Sequence, residues 1–381
     1  MDALDTLRAS LDAVDRRILG AIAERLQLVG QVSLAKQATS SHPRDAKREE
    51  ALLKRLEGVA KELGVHAGLV RSVYRLLLDH SVRMQVEHQV DADNPGRRNH
   101  QLRVGYQGTT GCYSSIACAE YMAPRGLAPV YSGFEGFAPM LEAVHSGVLD
   151  MALLPIENTT AGTITESYDL LAKHDLALTG EHFLLVRHCL IALRPVPLAN
   201  IRRVRSHPMA LAQCNVFLNS LSDCLVERYP DTAMACDALI HEQDLSEAAI
   251  ASEAAATERG LAILAHDIGD RADNTTRFVA VCRKPIVCDP RLPRKTSVIL
   301  TLRHEQGALH GCLDALMRRG LNLTKLESRP SQQAAWLYNF YLDFTGSEGV
   351  DEAIEVLRAL SPQLKVLGTY PMGERPTDRP T

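Results

Sequence analysis

Apolar residues in the first quarter of the chain recur at helical spacing. Leu4, Leu7, Leu11, Val14, Ile18, Ile22, Leu26 and Val29 follow one another at intervals of three or four, which places them on one face of an α-helix. Only Gly20 and Gly30 weaken the pattern. It predicts one helix of about 35 residues, roughly 50 Å long. The segment His42 to Asp45 ends it, and further helices are expected over Ala46 to Leu63 and Ala67 to Val90. Two shorter helices cannot cover so long a first one. The expected solution is a homodimer, or a higher oligomer, in which the long helices pack on each other.

The pattern changes after DADNPGRRNHQ, Asp91 to Gln101, a polar stretch with an Asn-Pro-Gly turn signal that reads as a linker. From Leu102 to about Arg283, short apolar strand candidates alternate with helical stretches; LRVGYQG, DMALLPI, HCLIALR, AAIASE and RFVAVCR are examples. This is an α/β pattern. A Pro-rich linker, KPIVCDPRLPRK, leads to a unit from about Thr296 that reads strand, helix, strand, strand, helix, strand. That order is the ferredoxin-like arrangement. The tail ERPTDRPT reads as disordered.

Composition narrows the function classes. The 381 residues allow two or three domains. The net charge of −4 is spread along the chain, so nucleic-acid binding has no electrostatic support. No apolar run approaches the roughly 18 residues of a membrane span. The charged start MDALDTLRASLDAVD does not read as a signal peptide. The nine cysteines include no Cys-x-x-Cys pair, which argues against a disulfide framework and against a metal site. These features predict a soluble cytoplasmic protein with reduced thiols.

Some polar residues sit where the helical pattern calls for apolar ones. Arg25, Val29, Val32 and Lys36 share one stripe, so two cations interrupt it. Arg8 lies a quarter turn away and would face another cavity, that of a partner chain. Ser81 and Gln85 follow Leu77 on one face of the third helix, and DAKRE brings Asp45, Arg48 and Glu49 together. Snorkelling stems explain a single such cation. Two cations with several neutral donors suit a site for a small dianion that carries a hydroxyl.

This pattern resembles the helical chorismate mutase domain that begins many bacterial bifunctional proteins of phenylalanine synthesis. The resemblance implies that Arg25 and Arg48, with Arg8 of the other subunit, hold carboxylates. It implies that Lys36 and Gln85 donate to the ether oxygen, and that Glu49 and Asp45 take the ring hydroxyl. Ser81 completes the motif. The rearrangement of chorismate to prephenate needs neither nucleophile nor base. Holding the reactive conformer and stabilising charge on the ether oxygen are sufficient.

In the middle segment, LPIENTTAGTITESYDLL places Pro155 where an apolar strand is expected to end. Glu157 and Asn158 then emerge at the carboxyl end of a strand, where open α/β sheets bind ligands. VGYQGTTGCYSS offers a Gly-rich turn before a helix but lacks the dinucleotide fingerprint, so no cofactor is expected. SHPMALAQC carries Gln213, and NTTRF carries Thr276. In this order the marks resemble prephenate dehydratase. The implied fold has two α/β lobes, like a periplasmic binding protein, with the site between them. The resemblance puts the key hydroxyl on Thr276, which would donate to the departing ring hydroxyl. Asn158 and Gln213 would orient prephenate, Thr159, Thr160 and Thr163 would help hold it, and Glu157 would supply or relay the proton. The family's acidic stretch after the Gln-bearing helix is MACDA here, with Asp237 the candidate stand-in.

The last unit resembles the ACT regulatory domain of prephenate dehydratases. Its motifs fall on Gly307, Ala308 and Leu309 and on Glu327, Ser328, Arg329 and Pro330, with Asn322 before the second. They imply a phenylalanine site between paired domains. The whole chain thus reads as a helical dimerising mutase domain over 1–93, a two-lobed α/β dehydratase domain over 102–284 and an α+β ferredoxin-like ACT domain over 296–374. The substrates implied are chorismate and prephenate. A phenylalanine-binding sensor with decayed sites is the alternative; retention of all eight mutase positions and of Thr276 argues against it. A mutase joined to a dehydrogenase would need a nicotinamide site, and no fingerprint for one is present.

Overall fold

Three helices make up the first part of the chain in the computed structural model: α1 (Ala3–Thr39), α2 (Ala46–Glu62) and α3 (Ala67–Asp93). The structure describes residues 3–39, 45–94, 101–125, 129–290, 292–302, 305–330, 337–346 and 348–375, with the side chains of 3, 4, 33–39 and 46 left out. Most of the break expected at His42 to Asp45, most of the first linker and all but the first two residues of the 374–381 tail lie outside the described residues. Helix α3 runs to Asp93, into the segment expected as linker. Asp45 caps α2, accepting the Arg48 backbone N–H at 3.1 Å. On α1, Leu7, Leu11, Ile18, Leu19 and Leu28 are all exposed in the single chain.

The chain divides into two compact units, Met1–Arg98 with Asp289–Leu292, and Asn99–Cys288 with Pro293–Thr381. The second unit holds three sheets. Its strands are β1 (Arg103–Gln107), β2 (Val130–Phe134), β3 (Met151–Asn158), β4 (Gly162–Thr163), β5 (Ala177–Leu185), β6 (Cys189–Ala192), β7 (Arg203–Ser206) and β8 (Leu225–Arg228). They continue with β9 (Glu247–Ala251), β10 (Ala262–Ala265), β11 (Thr275–Cys282), β12 (Arg294–Leu302), β13 (Asn322–Pro330), β14 (Tyr338–Thr345) and β15 (Gln363–Pro371). The first lobe has the order β2-β1-β3-β11-β5, with β4 paired to β3, and the second lobe the order β10-β6-β9-β7-β8. The chain crosses between lobes twice, at 186–188 and at 266–274. The two crossings bond to each other, Val186 N–H to the Asn274 carbonyl (2.7 Å) and Ile268 N–H to the His188 carbonyl (3.0 Å). The last sheet has the order β13-β14-β12-β15, all antiparallel, with helices Ala308–Met317 and Val350–Leu360 on one face.

The other face of that sheet is buried against the first lobe. Ile299, Tyr341, Leu367 and Tyr370 share a core with Leu154, Tyr168, Leu171, Val279 and Val281. This common core makes one compact unit of two sequence-defined domains.

Charges lie inside that boundary. Arg277 of β11 donates to Glu181 (2.8 Å), Glu157 (3.2 Å) and Asp343 (2.6 Å). Lys295 bonds Glu181 (2.7 Å) and Lys325 bonds Glu157 (2.6 Å). Ser297 and Gly373 N–H satisfy the remaining oxygens of Asp343 and Glu181. Three cations thus meet three carboxylates, and Glu157 and Glu181 are each shared between two of them. Burial opposes the Arg277 charge, but the facing carboxylates, Asp343 first, hold it protonated. Removing one partner from a buried group of this kind costs about 3–5 kcal/mol, because it strands an unpaired charge. Asp343→Leu is therefore expected to lower the stability of this unit by about that amount, read as a shift in urea unfolding followed by circular dichroism.

Candidate active site

Pro155 does not end its strand. β3 continues to Asn158, and the pairing with β11 slips instead: Phe278 faces Pro155, Arg277 faces Glu157, and Ile156 is left over. Pro155 has no N–H to give the ladder, and a bulge is where a strand tolerates that. The slip changes which side chain meets which face. Before it, Met151 and Leu153 face one core and Ala152 and Leu154 the other. Strict alternation would place Glu157 with Leu153 and Asn158 with Leu154. After the bulge, Glu157 joins Ile156 and Arg277 on the side of the C-terminal sheet. Asn158 joins Thr276 on the opposite face, Nδ2 to Oγ1 at 2.9 Å.

This overturns one expectation. Glu157 does not share a face with Thr276, and its carboxylate is taken by Arg277 and Lys325. Burial would raise its pKa, but those two cations outweigh burial and hold it below the usual carboxylate value. It carries no proton to give at neutral pH.

Around Thr276 the polar side chains form one network. Asn158 Oδ1 accepts the backbone N–H groups of Thr160 (2.9 Å) and Ala161 (2.8 Å), an Asx turn that closes the hairpin to β4. Gly162 ends that turn at a φ of 81°. Backbone N–H groups can only donate, so the orientation of the Asn158 amide is fixed. Its Nδ2 also reaches Asn274 Oδ1 at 2.8 Å. Gln213, at the end of the short helix Pro208–Ala212 of the second lobe, accepts from Asn274 Nδ2 (3.0 Å) and donates to Asn158 Oδ1 (3.3 Å). Thr276 Oγ1 is therefore an acceptor within the network. Among the described residues no acceptor takes its O–H, and the residue is only half-buried.

The three threonines of the loop part company. Thr159 is tied to Thr275, and Thr160 Oγ1 reaches Asn274 Oδ1 at 3.3 Å. Thr163 lies on the other face and donates to Glu327 of β13 at 3.0 Å. Asp237 pairs with Arg259 inside the second lobe. Asn274 and His188 belong to the network, and sequence reading missed both. The register of β11 puts Asn274 one residue before the strand, which no spacing rule reveals.

In the helical unit, Arg25 reaches Ser81 Oγ at 2.8 Å and the Leu77 carbonyl at 3.2 Å, so α1 and α3 bring two expected site residues together. Arg8 pairs with Asp5 along its own helix, and Arg48 is exposed. Glu49 and Gln85 are half-buried. The side chain of Lys36 lies outside the described residues.

In the last sheet the second motif is divided between faces. Glu327 and Arg329 point to the first lobe, at Thr163 and at Asp169. Ser328 sits opposite Phe340 on the helix side. There a cavity of about 330 Å³ is lined by Leu302, Glu305, Ala308, Leu309, Tyr338 and Phe340. Gly307 caps the adjoining helix at a φ of 83°, and Pro330 pairs with Tyr338 at the same end. Asn322 begins β13, eight residues from Pro330 and at the far end of the sheet, paired with Thr345.

Two family models match the chain: chorismate mutase type II over residues 7–86 and prephenate dehydratase over residues 104–286. A bifunctional chorismate mutase/prephenate dehydratase of Enterobacter agglomerans is 34% identical over 96% of this chain and 95% of its own. The chain belongs to the bifunctional chorismate mutase/prephenate dehydratase family. Among solved structures, a prephenate dehydratase of Arthrobacter aurescens in complex with L-Phe matches with a TM-score of 0.65 and 29% identity, over 74% of this chain and 92% of that one. GqqA, described as a novel type of quorum quenching acylase, matches with a TM-score of 0.64 and 31% identity, over 71% and 98%. Among the described residues of this bifunctional family member, no helix is long and apolar enough to cross a membrane.

The division between faces predicts unequal effects on dehydration. Asn158→Ala should lower kcat about tenfold or more, the worth of one hydrogen bond of about 1–2 kcal/mol. Glu157→Gln should leave it within about threefold. Because the folded pKa of Glu157 is depressed, its stabilisation is present above pH about 4 and lost as pH falls through the depressed value. Stability of Glu157→Gln should accordingly vary less with acid than that of the parent, read by urea titrations at stepped pH.

Proposed function

We infer that the chain converts chorismate to prephenate in its helical unit and prephenate to phenylpyruvate in its two-lobed unit. It thereby catalyses two consecutive reactions of L-phenylalanine biosynthesis and is restrained by phenylalanine. The observation that carries this reading is the uncommitted Thr276 hydroxyl, held by Asn158 in a chain that matches both family models.

The dehydration consumes one proton: prephenate and H⁺ give phenylpyruvate, carbon dioxide and water. As the ring C–O bond breaks, charge grows on the departing oxygen, and a donor there stabilises it. Thr276 is that donor. Asn158 supplies the hydrogen bond that Oγ1 accepts and so leaves the O–H for substrate. Gln213 orients the substrate with it. Glu157 is held by Arg277 and Lys325 on the other face, so this reading takes the proton from solvent through Thr276. The electrons of the breaking carboxylate bond make the ring aromatic as carbon dioxide leaves.

For the mutase, Arg25 held by Ser81 binds a substrate carboxylate, with Arg48 beside it and Arg8 from a partner. Lys36 and Gln85 donate to the ether oxygen, and Asp45 and Glu49 take the ring hydroxyl. The exposed apolar row of α1 supports a homodimer built on these helices. Asn322 supports pairing at the other end too. It lies about 25 Å along β13 from Pro330, so a site that needs Asn322 with Gly307 takes it from a second chain across the edge strand. No disulfide joins any of the nine cysteines, which supports a reducing, cytoplasmic setting.

Phenylalanine in the cavity beside Gly307 would act through β13. Ser328 faces the cavity side while Glu327, Lys325 and Arg329 grip the first lobe. Inhibition requires different affinities for phenylalanine in two states of that grip.

Purified protein given chorismate alone, quenched without acid, should yield phenylpyruvate by chromatography. Thr276→Ala should accumulate prephenate, with dehydratase kcat lowered at least about a hundredfold. Untouched chorismate from the parent would refute the enzyme reading. Glu327→Ala should still bind phenylalanine by calorimetry yet be inhibited at least about tenfold less sensitively; unchanged inhibition would refute the coupling role of Glu327.

A further inference from the structure

We propose that His188 is a positioning residue for dehydration: its Nε2–H fixes the Gln213 amide, and through it the Asn158 amide that keeps the Thr276 O–H free for substrate. The proposal rests on the reading of Thr276 as the donor.

His188 is 2% exposed and lies on the first crossing between the lobes. Its Nε2 is 2.9 Å from Gln213 Oε1, and its Nδ1 is 2.7 Å from the Tyr113 hydroxyl. The hydrogens can be assigned from one end of the network. Thr160 and Ala161 N–H groups fix Asn158 Oδ1 as the acceptor, so Nδ2 faces Asn274 Oδ1 and Thr276 Oγ1. Asn274 must then present Nδ2 to Gln213 Oε1. Gln213 Oε1 is therefore an acceptor, and the ring nitrogen facing it must carry a hydrogen. That leaves Nδ1 bare beside the Tyr113 hydroxyl (2.7 Å), whose one hydrogen also has the Arg187 carbonyl within reach at 2.8 Å. One direction of donation satisfies the chain from the loop to the ring Nε2. Burial pushes the imidazole pKa down, with the Gln213 bond pulling the other way, which agrees with a neutral ring.

The opposite tautomer would set a bare Nε2 against Gln213 Oε1. Flipping the Gln213 amide would cure that contact but turn Oε1 toward Asn158 Oδ1. A wrong proton on His188 therefore reaches the catalytic hydroxyl two side chains away. Position adds a second link. Gln213 comes from the second lobe, whereas Asn158 and Thr276 come from the first. His188 and Asn274 sit on the two crossings that join them, so the same contacts that align Thr276 hold the lobes in register.

The test uses the full chain with prephenate as substrate and compares the parent with His188→Leu and His188→Gln. His188→Leu should lower dehydratase kcat at least about tenfold while KM changes less than about twofold. His188→Gln, whose side-chain N–H can take the place of Nε2–H, should recover most of the loss. Parent-like circular dichroism and cooperative urea unfolding of the second unit in all three show that the unit carrying His188 is folded. Parent-like kcat in His188→Leu, a loss confined to KM, or a Gln variant as poor as the Leu variant would overturn the proposal. Should His188→Leu not fold, nitrogen-15 spectra of histidine-labelled parent decide, with the His188 signals assigned by their loss in His188→Gln. A protonated Nε2 with a bare Nδ1 at neutral pH is expected; the reverse tautomer or an imidazolium would overturn it. A parent inert toward prephenate would refute the Thr276 reading itself, whereas an active parent beside an equally active His188→Leu would refute only the role of His188.

Discussion

The bulge at Ile156 is the constraint on which the rest of the second unit depends. A strand has two faces, and a slip of one residue exchanges them. Pro155 interrupts the ladder with β11, and from that point Asn158 faces the network around Thr276 while Glu157 faces the C-terminal sheet. One short motif thereby serves both purposes. Its amide holds the Thr276 hydroxyl, and its carboxylate anchors the C-terminal sheet. The adjoining pair on β11, Thr276 and Arg277, divides in the same way because neighbours in a strand point oppositely.

That division explains how two domains of different fold can share an interior. Arg277, Lys295 and Lys325 are balanced by Glu157, Glu181 and Asp343, and hydroxyl and backbone groups fill the remaining positions. A buried ion cluster is weak evidence for stability compared with apolar packing. Its value here is registration, since a small shift of the sheet would leave several charges unpaired. The apolar contacts of Tyr168 with Tyr341, whose rings lie 4.8 Å apart, supply adhesion that is less sensitive to position.

Much of this was legible in the sequence, for reasons that can be named. The helical spacing of Leu4 to Val29 and the alternation of strands and helices are strong periodic signals, and α1 to α3 and the order of the last sheet follow them. Thr276, Asn158 and Gln213 stood out because they sit in motifs, and the structure brings them together. The role expected of Glu157 was misplaced because alternation alone cannot foresee a bulge, although Pro155 was the clue. His188 and Asn274 begin stretches that stand out for other reasons, HCLIALR as a strand and NTTRF for Thr276, and each lies just ahead of its strand. Their meaning comes only from contact with residues far along the chain. The docking of the last sheet on the first lobe also left no trace in local pattern, since Lys325 belongs to no motif and Glu327 reads as part of a phenylalanine motif.

The shared interior has a consequence for anyone who would simplify the protein. A chain cut before Arg294 would keep every residue of the network around Thr276. It would also turn Arg277 and Glu181, with Val279, Val281 and Tyr168 around them, from an interior into a surface. Deleting the sheet is therefore not a neutral change to the lobe. Editing single contacts leaves the sheet in place as a cover on the lobe's own core.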